Sequence, residues 1–304
     1  MAKKIIITGA TGLVGKNISS ELIKKSEEVI VFTRNVEAGK NKVPNASMYL
    51  KWNYDKPEEW KEHINNSKAI IHLAGANLAS KRWSKKYKKI ITESRIKSTQ
   101  NLIKAVSEAK NKPEVFICSS AVGYYGNSGD TLLTEDSAPG NDFLANLCIQ
   151  WEKAAEEIET FGIRRVSIRS GLVLSKEEGI LKKFLLPYNL YVGGKLGNGN
   201  QWFPWIHIND LVNIYLFSLY NKIDGAINAV STNPLRMKEF AFELGKTLNK
   251  PSFFKVPEFL LKVVLGEQAK AALSSLRVIP QKLNNQDFKF QFENISLCLK
   301  NLLK

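Results

Sequence analysis

The sequence predicts an α/β protein with a Rossmann-type, doubly wound parallel sheet and a smaller C-terminal substrate lobe. Three observations carry this. Apolar, strand-like runs alternate with helix-patterned stretches from Lys4 to Val230; the first run, Ile5 to Thr8, leads straight into glycines at 9, 12 and 15; and helix-forming residues, Asn17 to Lys25, follow. Strands covered on both faces read as continuous apolar runs, and their alternation with helices calls for right-handed crossovers within one sheet.

The elements follow in order. Strands are expected at Lys4 to Thr8, Val29 to Thr33, Ser47 to Lys51, Ala69 to Leu73, Val115 to Ser119, Arg165 to Arg169 and Ala226 to Val230. Helices are expected at Gly12 to Lys25, Lys85 to Glu108 and Phe143 to Thr160. Residues 1–173 and 206–230 then form the dinucleotide-binding part. Segments 174–205 and 231–304 break the alternation and are expected over the carboxyl edge of the sheet, where a substrate sits in folds of this kind.

Composition narrows the function. The chain has 304 residues, 44% of them hydrophobic, and opens on a core strand, so no leader segment is expected. No apolar run reaches the roughly 18 residues of a membrane span, so no membrane partner is expected. Cys118, Cys148 and Cys298 are few and odd in number, which fits a reducing cytoplasm without disulfides. His72 and His207 have no Cys or carboxylate at ligand spacing, so no metal is expected. The net charge of +15 raises the question of nucleic acid. The densest basic stretch, Lys81 to Lys104, interleaves its cations with Trp83, Tyr87, Ile90, Ile91 and Ser94 at helical spacing, so it reads as a solvated helix face. Nucleic acid is therefore not an expected partner; a small-molecule substrate is, and the sequence leaves a homodimer open.

The glycine turn is the strongest chemical signal. Glycines permit a tight turn and close ligand approach, and free N–H groups at a following helix start suit a pyrophosphate. Its expected contributors are Gly9, Ala10, Thr11, Gly12, Leu13, Val14 and Gly15. The second strand ends in Thr33 and Arg34, where a carboxylate would accept from the ribose of NAD; an Arg instead fits the 2′-phosphate of NADP. The expected cofactor is NADP(H), with Arg34 as its selector.

The motifs T-G-A-T-G-L-V-G, H-L-A-G-A at His72 to Ala76, S-S-A-V-G-Y-Y-G at Ser119 to Gly126 and R-S-G-L-V-L at Arg169 to Leu174 resemble an extended short-chain dehydrogenase/reductase. R-W-S-K at Arg82, S-R-I-K-S-T at Ser94, W-F-P-W-I-H-I-N-D at Trp202 and the run Gly266 to Leu283 narrow the resemblance to the atypical, epimerase-like branch with a C-terminal segment of unknown function. It implies cofactor contacts at Leu73, Ala74, Gly75, Ala76, Ser119 and Gly171. Typical members pair a Tyr with a Lys four residues on; here those positions fall near Leu144 and Cys148. The formal Tyr191 to Lys195 pair contains two glycines and lies in the second lobe, so it reads as coincidence. Ser120 and Tyr125 are then the catalytic candidates, able to polarise a carbonyl by hydrogen bonding; otherwise the serines cap a strand and the tyrosines line a wall.

Three further features have structural alternatives. His207 and Asp210 read as a buried hydrogen-bonder between the lobes and a helix N-cap, rather than a proton relay. Cys148 lacks an activating neighbour. Trp202, Phe203 and Trp205 suit a ring-binding pocket or plain core packing. Two functions stay in view: an NADP(H)-dependent oxidoreductase or epimerase-like enzyme, and a non-catalytic NADP(H)-binding redox sensor. A polyanion-binding module is the weakest alternative.

Overall fold

The computed structural model describes residues 4–304; residues 1–3, assigned above to the dinucleotide part, lie outside the described residues. Seven parallel strands form one sheet: β1 Lys4–Thr8, β2 Val29–Thr33, β3 Met48–Lys51, β4 Ser67–His72, β5 Val115–Ala121, β6 Arg164–Ser170 and β7 Gly225–Ala229. Their order across the sheet is β7-β6-β5-β4-β1-β2-β3. Ile5, Ile6 and Ile7 of β1 are fully buried, which explains the unbroken apolar run. The chain winds outward from β1 through β2 to β3, then returns to place β4 on the other side of β1. The crevice between the carboxyl ends of β1 and β4 is thus the switch point of the winding, where ligands of such sheets bind.

Helices cover both faces. One side carries α1 (Leu13–Lys24) packed on α6 (Ile208–Tyr220); the other carries α3 (Lys85–Glu108) packed on α4 (Phe143–Glu156). A short α2, Val36–Lys42, follows β2, and its cap Asn35 accepts from Ala38 N–H. Likewise α3 starts where Ser84 accepts from Tyr87 N–H, and α4 where Asp142 accepts from Ala145 N–H. α4 gives way to a 3-10 turn, Glu157–Phe161, closed by Gly162. The fourth strand runs from Ser67 to His72, earlier than the expected Ala69 to Leu73, and the Leu73 N–H just beyond it still donates to Thr8 C=O of β1.

The rest of the chain is built from α5 (Ile180–Asn189), α7 (Met237–Leu248), α8 (Glu258–Leu265), α9 (Gln268–Leu273), α10 (Gln281–Asn285) and α11 (Ile295–Leu303), with short strand pairs between. Gly194–Leu196 pairs with Phe254–Val256, and Leu132–Leu133 with Arg277–Val278. α11 docks on α7.

Candidate functional site

A cleft of about 660 Å³ opens at the switch point, lined among others by Gly9, Thr11, Gly12, Thr33, Arg34 and Leu73 to Ala76. Gly9 has φ +69°, and a Cβ there would stand 2.9 Å from the Ala74 nitrogen; at Gly15 a Cβ would meet Gly9 C=O at 2.5 Å. Only glycine allows β1, the turn and α1 to approach this closely. Gly12 is the N-cap of α1, with no side-chain cap and no acid in the first turn. The free amides and positive dipole end of α1 therefore face the cleft. Arg34, at the end of β2, is exposed and lines the same cleft, in no ion pair among the described residues, with Lys51 of the neighbouring strand lining it too. Trp52 lines the same wall with its buried indole N–H unpartnered. The residues present fit an anionic dinucleotide. Lys51, Trp52 and Asn53 escaped the sequence reading because β3 is short and no glycine marks it.

The other expected contacts divide. Ala10 is fully buried in the core, Leu13 and Val14 pack against that core, and Gly15 serves helix-to-turn packing. Gly171 is required by a neighbour: a Cβ would meet Pro204 C=O at 2.4 Å. Ser119 exchanges a 2.9 Å hydrogen bond with the Tyr215 hydroxyl. Gly15→Ala is expected to lower the thermal midpoint, with overpacking of about 1–3 kcal/mol, and to weaken dinucleotide binding; unchanged values of both would contradict the packing argument.

Ser120 and Tyr125 sit in a buried polar network at the carboxyl ends of β5 and β6. Ser120 Oγ donates to Glu152 Oε1 at 2.5 Å. Arg169 holds the same carboxylate in a fork, Nε to Oε1 at 2.9 Å and Nη2 to Oε2 at 2.8 Å. Its Nη1 donates to the Tyr125 hydroxyl at 3.0 Å, which donates in turn to Asn228 Oδ1 at 2.7 Å. Tyr125 is only 2% exposed, and burial pushes its phenol up to about 12 despite Arg169. The Arg169 guanidinium also lies 3.4 Å from the Tyr124 ring centre. Neither Ser120 nor Tyr125 lines the switch-point cleft.

A second cleft, of about 360 Å³, lies where α4 begins and the C-terminal segment crosses it, with Trp83, Asn127, Phe143, Leu144, Lys262 and Lys270 among its walls. Trp83 and Phe143 meet edge to face at 5.2 Å. Leu144 faces this space, and Cys148, one turn on, is buried with its thiol pushed up to about 12 by burial. That agrees with the inert reading of Cys148. Arg95 was read with the solvated basic face; instead it is half-buried, donating to Ala76 C=O and Ile91 C=O and lying 5.0 Å from the Trp151 ring. Arg82 similarly reaches the Val263 and Val264 carbonyls, capping α8, whereas Lys88 pairs with Glu267 at 2.5 Å.

His207 and Asp210 tie α6 to the C-terminal segment, and the cap of α6 is His207, not the expected Asp210: its Nδ1 accepts from Asn209 N–H at 3.0 Å. Asp210 already lies inside the helix and accepts from the N–H groups of Gln291 and Phe292. His207 also bonds Asn301 at 3.1 Å and stacks on Phe292 at 3.9 Å. Phe203 stacks on Phe240 at 4.4 Å and Trp205 is buried, so both belong to the core. Tyr191 is 58% exposed beneath Lys250, away from both clefts.

Burial holds His72 down to about 3 and His207 to about 4. The unfolded chain binds protons at these groups near the ordinary value of about 6.5, where the folded chain refuses them. Stability is therefore expected to fall as pH drops from about 6.5 toward 4, and His207→Gln should flatten the slope of urea midpoint against pH. A slope identical to that of the parent protein would contradict this.

Comparison with known proteins gives a consistent set of similarities. Residues 5–229 match the NAD dependent epimerase/dehydratase family, and residues 256–302 match the domain of unknown function DUF1731. An "Epimerase family protein" of Staphylococcus haemolyticus is 36% identical over 303 residues, covering 99% of each chain. The crystal structure of human epimerase family protein SDR39U1 (isoform 2) with NADPH is similar with a TM-score of 0.88, at 30% identity over 98% of each chain. UDP-glucuronic acid 4-epimerase from Bacillus cereus, in complex with UDP-glucuronic acid and NAD, shares the fold with a TM-score of 0.79, at 16% identity over 98% of this chain and 97% of that one.

Proposed function

The chain belongs to the NAD dependent epimerase/dehydratase family, and from that premise we propose that it is an NADP(H)-dependent oxidoreductase or epimerase-like enzyme of the short-chain dehydrogenase superfamily, working in the cytoplasm on a small-molecule substrate. One observation carries the reading: the uncapped start of α1 and an exposed Arg34, in no ion pair among the described residues, line the same switch-point cleft. NADPH in the SDR39U1 structure supports it. Bound here, the cofactor would supply or accept a hydride. The first-turn amides of α1 would hold its pyrophosphate, and Arg34 and Lys51 would take the 2′-phosphate. Ser119, near the carboxyl end of β5, and Gly171, just past β6, mark the nicotinamide end. The substrate belongs in the smaller cleft, between Trp83, Phe143 and the C-terminal segment.

Ser120 and Tyr125 are assigned a positioning part in the reaction, which their partners define. A phenol held near 12 gives up a proton weakly at neutral pH, so both act by positioning the carboxyl ends of β5 and β6 through Glu152 and Arg169. A second reading, a redox sensor that binds NADP(H) without turnover, is favoured by the count along α4, which puts the positions of the usual Tyr and Lys pair near Leu144 and Cys148.

The test follows NADPH binding and its oxidation with a panel of carbonyl compounds. Turnover is expected with at least one compound. Ser120→Ala and Tyr125→Phe should lower kcat while leaving NADPH affinity within about threefold. Failure to bind NADPH sinks both readings. Binding without turnover across the panel moves the balance to the sensor.

A further inference from the structure

The C-terminal part of the chain carries an apolar surface that the described residues leave exposed. Of the seventeen large hydrophobic side chains that stand exposed among the described residues, ten fall in two short segments: four between Leu186 and Val192, and six between Phe253 and Val264. Phe253 is 76% exposed and Phe259 69%. The segments are joined by a parallel ribbon in which Phe254, Lys255 and Val256 stand opposite Gly194, Lys195 and Leu196. α8, which continues from this ribbon, buries Leu261 alone. A helix of eight residues with one buried side chain gains little from its own packing. Its apolar face is therefore available to something outside the chain.

Charge says what that is. Residues 180–196 and 250–265 hold Lys182, Lys183, Lys195, Lys250, Lys255 and Lys262 against the single acid Glu258. None of the six lysines is in an ion pair among the described residues. Lys195 and Lys255 are register neighbours, like charges side by side. A second copy of this chain would set the same lysines against their counterparts in a protein already at +15, which repels rather than pairs. An apolar helix face rimmed by flexible lysines is instead the pattern of a helix lying in a lipid headgroup layer, its stems following the apolar surface and its ammonium groups meeting phosphates.

We propose that this face docks on an anionic lipid surface, with α8 lying in the plane of the headgroups. No described helix is long and apolar enough to cross a membrane. The expectation of no membrane partner rested on span length, which says nothing of a helix lying flat. α8 also contributes Lys262 to the smaller cleft, so docking and access to that cleft share an element.

The full chain is sedimented with vesicles of phosphatidylcholine alone and with about 30% phosphatidylglycerol added. Binding is expected to the anionic vesicles only, and to be lost as salt rises from about 0.05 to about 0.5 M. Lys195→Gln and Lys255→Gln should each weaken it by about fivefold. The pair Phe253→Ser with Phe259→Ser should abolish it while the circular dichroism spectrum and thermal midpoint stay as in the parent, since both side chains are exposed. Equal binding to both vesicle types, or to neither, overturns the proposal. So does self-association that the Phe pair removes, which would assign the face to a second copy. Tighter binding to polyglutamate than to vesicles would assign it to an acidic protein instead.

Discussion

Glu152→Ala is expected to remove about 3–5 kcal/mol from the stability of the protein, because it strands a guanidinium that has been taken out of water. Arg169 and Glu152 are both nearly buried, and their side chains meet in a two-bond fork. Burial works against the charge on Arg169, but the Glu152 carboxylate more than compensates and raises its pKa further. Without the carboxylate, Arg169 keeps the Tyr125 hydroxyl and Glu135 C=O, neither of them charged, and Ser120 loses its acceptor. Glu152→Gln retains an acceptor and should cost less than Glu152→Ala. The double change Glu152→Leu with Arg169→Met should also cost less than Glu152→Ala alone, since no buried charge is left unpaired. Denaturant midpoints of the three variants decide it; a loss below about 1 kcal/mol for Glu152→Ala would mean that water reaches the guanidinium.

This network also marks the limit of what the sequence discloses. The doubly wound fold is legible because it is written locally: apolar runs of strand length, helical periodicity, and glycines at the one turn where backbone must touch backbone. The helix Lys85–Glu108 can be read to its ends because Ser84 caps it. Thr33, Arg34 and the glycine turn are legible for the same reason, each lying at the end of an element. Glu152, Asn228 and Glu135 are not, since they reach Arg169 and Tyr125 from separate segments of the chain. Arg95 looked like one more cation on a basic helix face. Only packing reveals that its side chain turns inward to Trp151. Lys51 is similar: nothing in M-Y-L-K says that this lysine stands beside Arg34, because that depends on β3 pairing with β2 in the register Thr33 to Lys51.

That register matters most for Arg34→Ala, which is expected to weaken NADPH binding by about 10- to 50-fold while changing NADH affinity less than about twofold. A guanidinium held against a phosphate by two hydrogen bonds contributes about 1.5–3 kcal/mol, and Arg34 is exposed, so the effect belongs at the lower end. NADH has no 2′-phosphate and gives Arg34 nothing to hold. Lys51 lines the cleft from the next strand as a point charge, so Lys51→Ala should weaken NADPH binding by a smaller factor, and the double variant should lose the preference for NADPH. Because both cations stand near solvent, raising the salt should erode NADPH affinity in the parent protein and do so less in Arg34→Ala. Titration of cofactor fluorescence with each dinucleotide measures all of this. Equal losses for NADPH and NADH would show that Arg34 shapes the cleft without reading the phosphate, and the cofactor assignment would then fall back to an unspecified nicotinamide dinucleotide.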